Sequence, residues 1–152
     1  MPMAEQRFPS AFILHSAARL LTAAGLAVDA YVHAKLADQY DAVIATIGQG
    51  MLFRVEAGLA CLAALLVLVR PNRLTGSFAW LVAAGGLAAI LLYRYIDVGA
   101  LGPLPDMYEP IWSTDKVISA VAQVVSVAAA SYLLITRRPP RRARAGTVRD
   151  AP

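Results

Sequence analysis

Residues 11–36, AFILHSAARLLTAAGLAVDAYVHAKL, decide how this chain folds. About 20 mostly apolar residues carry a helix across roughly 30 Å of hydrocarbon, and this stretch is long enough to do so. Its polar residues are not scattered. His15, Arg19, Thr22, Leu26, Asp29, His33, Leu36 and Tyr40 alternate in steps of four and three. At 100° per residue that places them within about 50° of one line along a helix. Such a stripe is unfit for lipid and must face a bundle interior or a wet cavity. A spanning helix with an inward polar face needs partners.

The rest of the chain supplies them. Apolar runs recur at Met51 to Val69, Thr75 to Ile96 and Val117 to Ile135. The 152 residues are 59% hydrophobic and only 16% charged, with a mean hydropathy of +0.58, which is unlike a soluble domain of this length. The expected architecture is an all-α, four-helix transmembrane bundle occupying 1–136. A basic tail, 137–152, is expected to be disordered and cytoplasmic. Ser10 is the expected N-cap of the first helix. Pro71 and Asn72 mark a short turn that makes the second and third helices antiparallel neighbours. Residues 99–112, GALGPLPDMYEPIW, hold three prolines and two glycines, which exclude a regular helix there.

The basic residues predict an orientation. Arg7, the pair Arg70 and Arg73, and the cluster Arg137, Arg138, Arg141, Arg142 and Arg144 fall on one side of a four-span chain. The opposite loops carry Asp38 and Asp41, then Asp97, Asp106, Glu109 and Asp115. By the positive-inside rule both termini are cytoplasmic, and three or five spans spoil the agreement. A competing pattern has Leu20 to Val28 as the apolar region of a cleaved signal and Val28-Asp29-Ala30 as its cleavage site; the polar stripe, however, runs past Ala30 without a break.

The net charge of +4 comes from the C-terminal arginines, so nucleic acid is not the expected partner. Expected partners are the bilayer, anionic lipid headgroups at that cluster, and other membrane proteins or further copies of the chain. Cys61, the single cysteine, can form no internal disulfide and is expected to serve packing.

The fourth helix answers the first with Lys116, Ser119, Gln123, Ser126 and Ala130, spaced three, four, three, four, so the two stripes can face each other. Arg54 and Glu56 on the second helix and Arg94 and Asp97 at the end of the third lie in the same half of the membrane. Asp29, His33, Arg54, Glu56, Arg94, Asp97 and Gln123 are therefore the candidate ligand- or ion-binding residues, with Asp29 expected to be protonated, hydrated, or paired with Arg54 or Arg94. The bland alternative is a set of interfacial ion pairs that only hold the bundle together. In the third helix, Gly76, Ala79, Ala83 and Gly86 recur at close-packing spacing, with Gly85 and Ala89 beside them.

No cofactor or metal is expected. Asp29 and His33 are one turn apart, a weak signal by itself. His15 and His33 are 18 residues apart, roughly 27 Å along a helix, too far to clamp one haem. GxSxG, HExxH and GxxxxGK[ST] motifs are absent, so catalytic residues cannot be named. The reading favours a non-enzymatic structural, accessory or binding protein of the cytoplasmic membrane. The alternative is a small transporter or ion/proton-handling unit built on Asp29 and His33.

The run AVDAYVHAKLADQYD around Asp29 and His33, together with GALGPLPDMYEPIW, resembles small four-helix integral membrane proteins of uncharacterised function from actinobacteria. In size and layout the chain is also similar to DoxX-type four-helix proteins. The first resemblance implies the four-helix fold; neither brings an activity or a ligand set.

Overall fold

The computed structural model describes residues 8–136, with side chains from residue 11 onward. These residues form four long helices, α1 (Phe8–Ala37), α2 (Gln49–Val69), α3 (Arg73–Tyr95) and α4 (Thr114–Ile135), and no named strand. Each is long and apolar enough to cross a membrane. A single 3-10 turn, Asp38–Tyr40, extends α1. The four expected runs thus match the four helices within a few residues. The basic tail lies outside the described residues.

Two helix starts differ in kind. α1 already includes Phe8, so Ser10 sits within the helix and is not its cap. Asn72 does more than turn the chain. Its side chain accepts from the Thr75 N–H at 3.0 Å while Thr75 Oγ1 accepts from the Asn72 N–H at 3.1 Å, a reciprocal capping box that satisfies two otherwise orphaned donors. Ser113 caps α4 through the Lys116 N–H at 3.2 Å. Residues 96–113 stay irregular as expected, with Gly99 and Gly102 at φ values of +62° and +58° that favour glycine.

The helices run up, down, up, down. α1 packs most closely on α2 and α4, and α3 rests mainly on α4. α2 and α3 touch least of the neighbouring pairs, although the tight turn at 70–72 joins them. Two ends result: a turn end, with residues 70–72 and the C-terminus of α4, and a loop end, with residues 38–48 and 96–113. The two loops are tied together by Ile47 N–H to Pro103 O at 2.9 Å, and the second loop is tied to α3 by Glu109 N–H to Tyr93 O at 3.0 Å.

The packing is that of a bundle made for lipid. The core consists of small residues, Ala60, Ala63, Ala79, Ala83 and Ala130 at 0% exposure, with Leu26. The large apolar side chains point outward: Phe12, Leu20, Leu65, Leu81 and Val121 are all more than half exposed. In water such a surface would aggregate; in hydrocarbon it is the solvent-matched face, and small residues let the backbones approach. Gly25 shows how closely. A Cβ there would lie 2.6 Å from Ala122 O on α4. Gly76, Ala79 and Ala83 are buried in the interior as their spacing predicts. Cys61 is the exception to expectation: it is exposed on the outer face of α2 and packs nothing, because the core positions there, Ala60, Ala63 and Ala64, belong to the neighbouring stripe.

Candidate functional site

The stripe of α1 does face inward, and it meets the stripe of α4. Thr22, Leu26 and Asp29 are completely buried, as are Gln123 and Ser126, and Ser119 nearly so. Three bonds join the stripes. Ser119 Oγ donates to Asp29 Oδ1 at 2.5 Å, Gln123 Nε2 donates to the same oxygen at 2.8 Å, and Ser126 Oγ donates to Thr22 O at 3.2 Å. His33, one turn along α1, places Nδ1 3.0 Å from Asp29 O and 3.2 Å from Asp29 Oδ1. Both oxygens are acceptors, so Nδ1 carries the proton.

Asp29 is therefore held by neutral and imidazole donors, and no arginine among the described residues reaches it. Arg54 forks instead onto the loop end, to Asp38 Oδ1 at 2.7 Å and Asp41 at 2.7 and 2.8 Å. The reason is angular: Arg54 and Glu56 are two residues apart, about 200° around a helix, so only one can face the interior, and Glu56 does. The Arg54 guanidinium holds the Asp41 carboxyl below the usual carboxylate range, chiefly through its hydrogen bonds. Arg94 lies 5.0 Å and 5.6 Å from the ring centres of Tyr95 and Trp112, a cation–π setting. Asp97 falls beyond the end of α3 and accepts from the Gly99 N–H at 3.2 Å. Of the seven candidates, Asp29, His33, Glu56 and Gln123 gather, while Arg54, Arg94 and Asp97 stand apart.

Gly86 on α3 closes the group. A Cβ at Gly86 would lie 2.8 Å from Glu56 Oε1 and closer still to Gln123 Nε2, so α2, α3 and α4 converge on that glycine. Three buried acceptors here, Asp29 Oδ2, Glu56 Oε1 and Gln123 Oε1, have no donor among the described residues. A buried acceptor without a donor costs about 1–3 kcal/mol. Each is a point where a proton or a ligand's N–H or O–H would be stabilised.

Beside this group the sparse α2–α3 contact opens a cavity of about 750 Å³ at the loop end. Its walls are mostly apolar, including Leu52, Val55, Ile90 and Leu92, while Gly85 and Ala89 leave the α3 side low. His33 and Glu56 sit at its inner boundary. At the loop side Lys116 pairs with Glu109 at 3.0 Å, and Tyr40 donates to Glu109 at 3.1 and 3.2 Å. Phe53 packs edge-on against His33, with ring centres 5.1 Å apart. Sequence reasoning missed Gly86, Phe53 and the Tyr40–Glu109 contact; the spacing of Gly86 from Ala83 was visible, but not what it would approach. Among the described residues no three His, Cys, Asp or Glu side chains are grouped to hold a metal ion.

No family model, curated protein or solved structure matches the chain.

Proposed function

We propose that the protein is a multi-pass binding protein of the cytoplasmic membrane that takes up a lipid-borne amphipathic molecule between α2 and α3. The observation that carries this reading is the apolar cavity of about 750 Å³ with His33 and Glu56 at its inner boundary. Its volume suits a small-molecule site, and its mostly apolar walls favour a hydrocarbon portion over a wholly polar solute. The orphaned acceptor of Glu56, a residue of the cavity wall, favours a head that donates a hydrogen bond. The basic turn end, with Arg70 and Arg73, and the acidic loop end support N-in/C-in orientation. A reporter fused after Pro152 is expected to be active in the cytoplasm; activity on the far side of the membrane overturns that orientation.

The test of binding is direct. Gly85 lines the cavity and has nothing within 4 Å of a built Cβ, so a side chain can start there without a backbone clash, and Gly85→Leu is expected to narrow the cavity. Purified wild-type protein, extracted with organic solvent and analysed by mass spectrometry, is expected to release a stoichiometric amphipathic molecule that Gly85→Leu lacks. Equal content in a folded variant refutes the reading.

A second reading, proton handling at Asp29 and His33, is favoured by the buried Asp29 Oδ2 without a donor. It predicts proton flux in reconstituted vesicles that Asp29→Asn abolishes and Gly85→Leu leaves intact.

A further inference from the structure

The turn end holds a second cleft, of about 350 Å³, between α1, the start of α3 and the end of α4. It has the opposite character to the cavity at the loop end. His15, Arg19 and Arg73 line it, with no Asp or Glu among its described lining residues. At the loop end Arg54 meets Asp38 and Asp41, Lys35 meets Asp115 and Lys116 meets Glu109, while Arg94 faces the Tyr95 and Trp112 rings. At the turn end, among the described residues, Arg19, Arg70 and Arg73 meet no carboxylate. Asp29, the nearest acid along α1, lies ten residues beyond Arg19, about 15 Å along the helix.

Arg19 is held in place but not neutralised. One terminal nitrogen donates to Leu68 O at 2.9 Å, which fixes the guanidinium between α1 and α2. Its Nε is buried and has no acceptor among the described residues. A guanidinium with an unused buried N–H calls for an acceptor oxygen, and an anionic one is favoured. The first turn of α3 adds the positive end of a helix dipole, with Arg73 and Thr75 on the cleft wall. Leu133 and Leu134 of α4 supply an apolar flank.

We propose that this cleft binds a phosphate group, with Arg19 and Arg73 as its cationic ligands. Basic pockets between spanning helices suit phosphate-bearing headgroups, and a free phosphate offers the same chemistry. The site shares no lining residue with the α2–α3 cavity.

The test uses the full chain in a neutral detergent, titrated calorimetrically with dihexanoyl phosphatidylglycerol, with dihexanoylglycerol, which lacks the phosphate, and with inorganic phosphate. The phospholipid is expected to bind at least about tenfold more tightly than dihexanoylglycerol, and Arg19→Gln and Arg73→Gln are each expected to weaken it by about tenfold, the loss of one charged hydrogen bond. Displacement by inorganic phosphate at millimolar concentration would assign the site to free phosphate; phospholipid binding that phosphate does not displace would assign it to a headgroup. Equal binding of the two lipids overturns the proposal. So does unchanged affinity in the variants. Should Arg19→Gln fail to fold, the exposed Arg73 decides alone, and because the tail is the same in every variant it cannot produce the difference.

Discussion

Gln123 on α4 donates to Asp29 Oδ1 on α1 across 2.8 Å, and both side chains are completely buried. With Ser119 at the same oxygen, this contact makes the α1–α4 seam polar at its centre. Asp29→Leu removes the acceptor and orphans two buried donors, so it is expected to destabilise the protein by about 2–4 kcal/mol. Asp29→Asn keeps one oxygen for Ser119 and Gln123 and is expected to cost about 1 kcal/mol. The double variant Asp29→Leu, Gln123→Leu is expected to be less damaged than the sum of its parts. Thermal unfolding in detergent of the wild type, Asp29→Asn, the single variants Asp29→Leu and Gln123→Leu, and the double variant measures these effects, and strict additivity would show that the contact contributes nothing.

Two glycines should respond oppositely to the same change. A Cβ at Gly25 runs into the α4 backbone at Ala122 O, whereas at Gly58 it meets nothing within 4 Å. Gly25→Ala is expected to lower stability by about 1–3 kcal/mol through overpacking against a backbone that cannot yield. Gly58→Ala is expected to be neutral or to gain up to about 1 kcal/mol in helix propensity. A stability series that ranks them the other way would contradict the α1–α4 approach.

The Arg54–Asp41 pair predicts a pH dependence at the loop end. The folded Asp41 carboxyl titrates below its ordinary value because Arg54 hydrogen-bonds it. A depressed carboxyl contributes stability above the unfolded carboxylate range, near pH 4, and loses it as pH falls through the lower folded value. The stability difference between wild type and Arg54→Met is therefore expected at neutral pH and should vanish in acid. Because the pair is exposed, salt should shrink it as well. A difference that persists unchanged at low pH would exclude Asp41 as its source.

Cys61 offers a probe of the lipid face. It is the chain's single cysteine and is exposed on α2. In a bilayer that face lies in hydrocarbon, out of reach of a charged, water-soluble reagent. A charged, water-soluble maleimide is expected to label it slowly in vesicles and rapidly after denaturation in sodium dodecyl sulfate. Fast labelling in intact vesicles would place this part of α2 outside the membrane.

The spans and their inward faces are local properties, legible in the residues alone. Four runs of sufficient length declare four helices, because in hydrocarbon every backbone group must be bonded within its own helix. The steps of four and three in α1 and α4 single out Thr22, Asp29, Ser119 and Gln123 as interior, since periodicity is a local property of the helix. Tertiary structure alone decided which charges meet. Arg54 turns to Asp38 and Asp41, Arg94 to the Tyr95 and Trp112 rings, and Asp97 to its own loop. Those choices depend on rotation about each helix axis, on where α3 stops, and on loops that fold back. The cavity belongs to the same class: a gap between α2 and α3 arises from how far two helix axes diverge, and that is set by packing of all four helices at once rather than by any one segment.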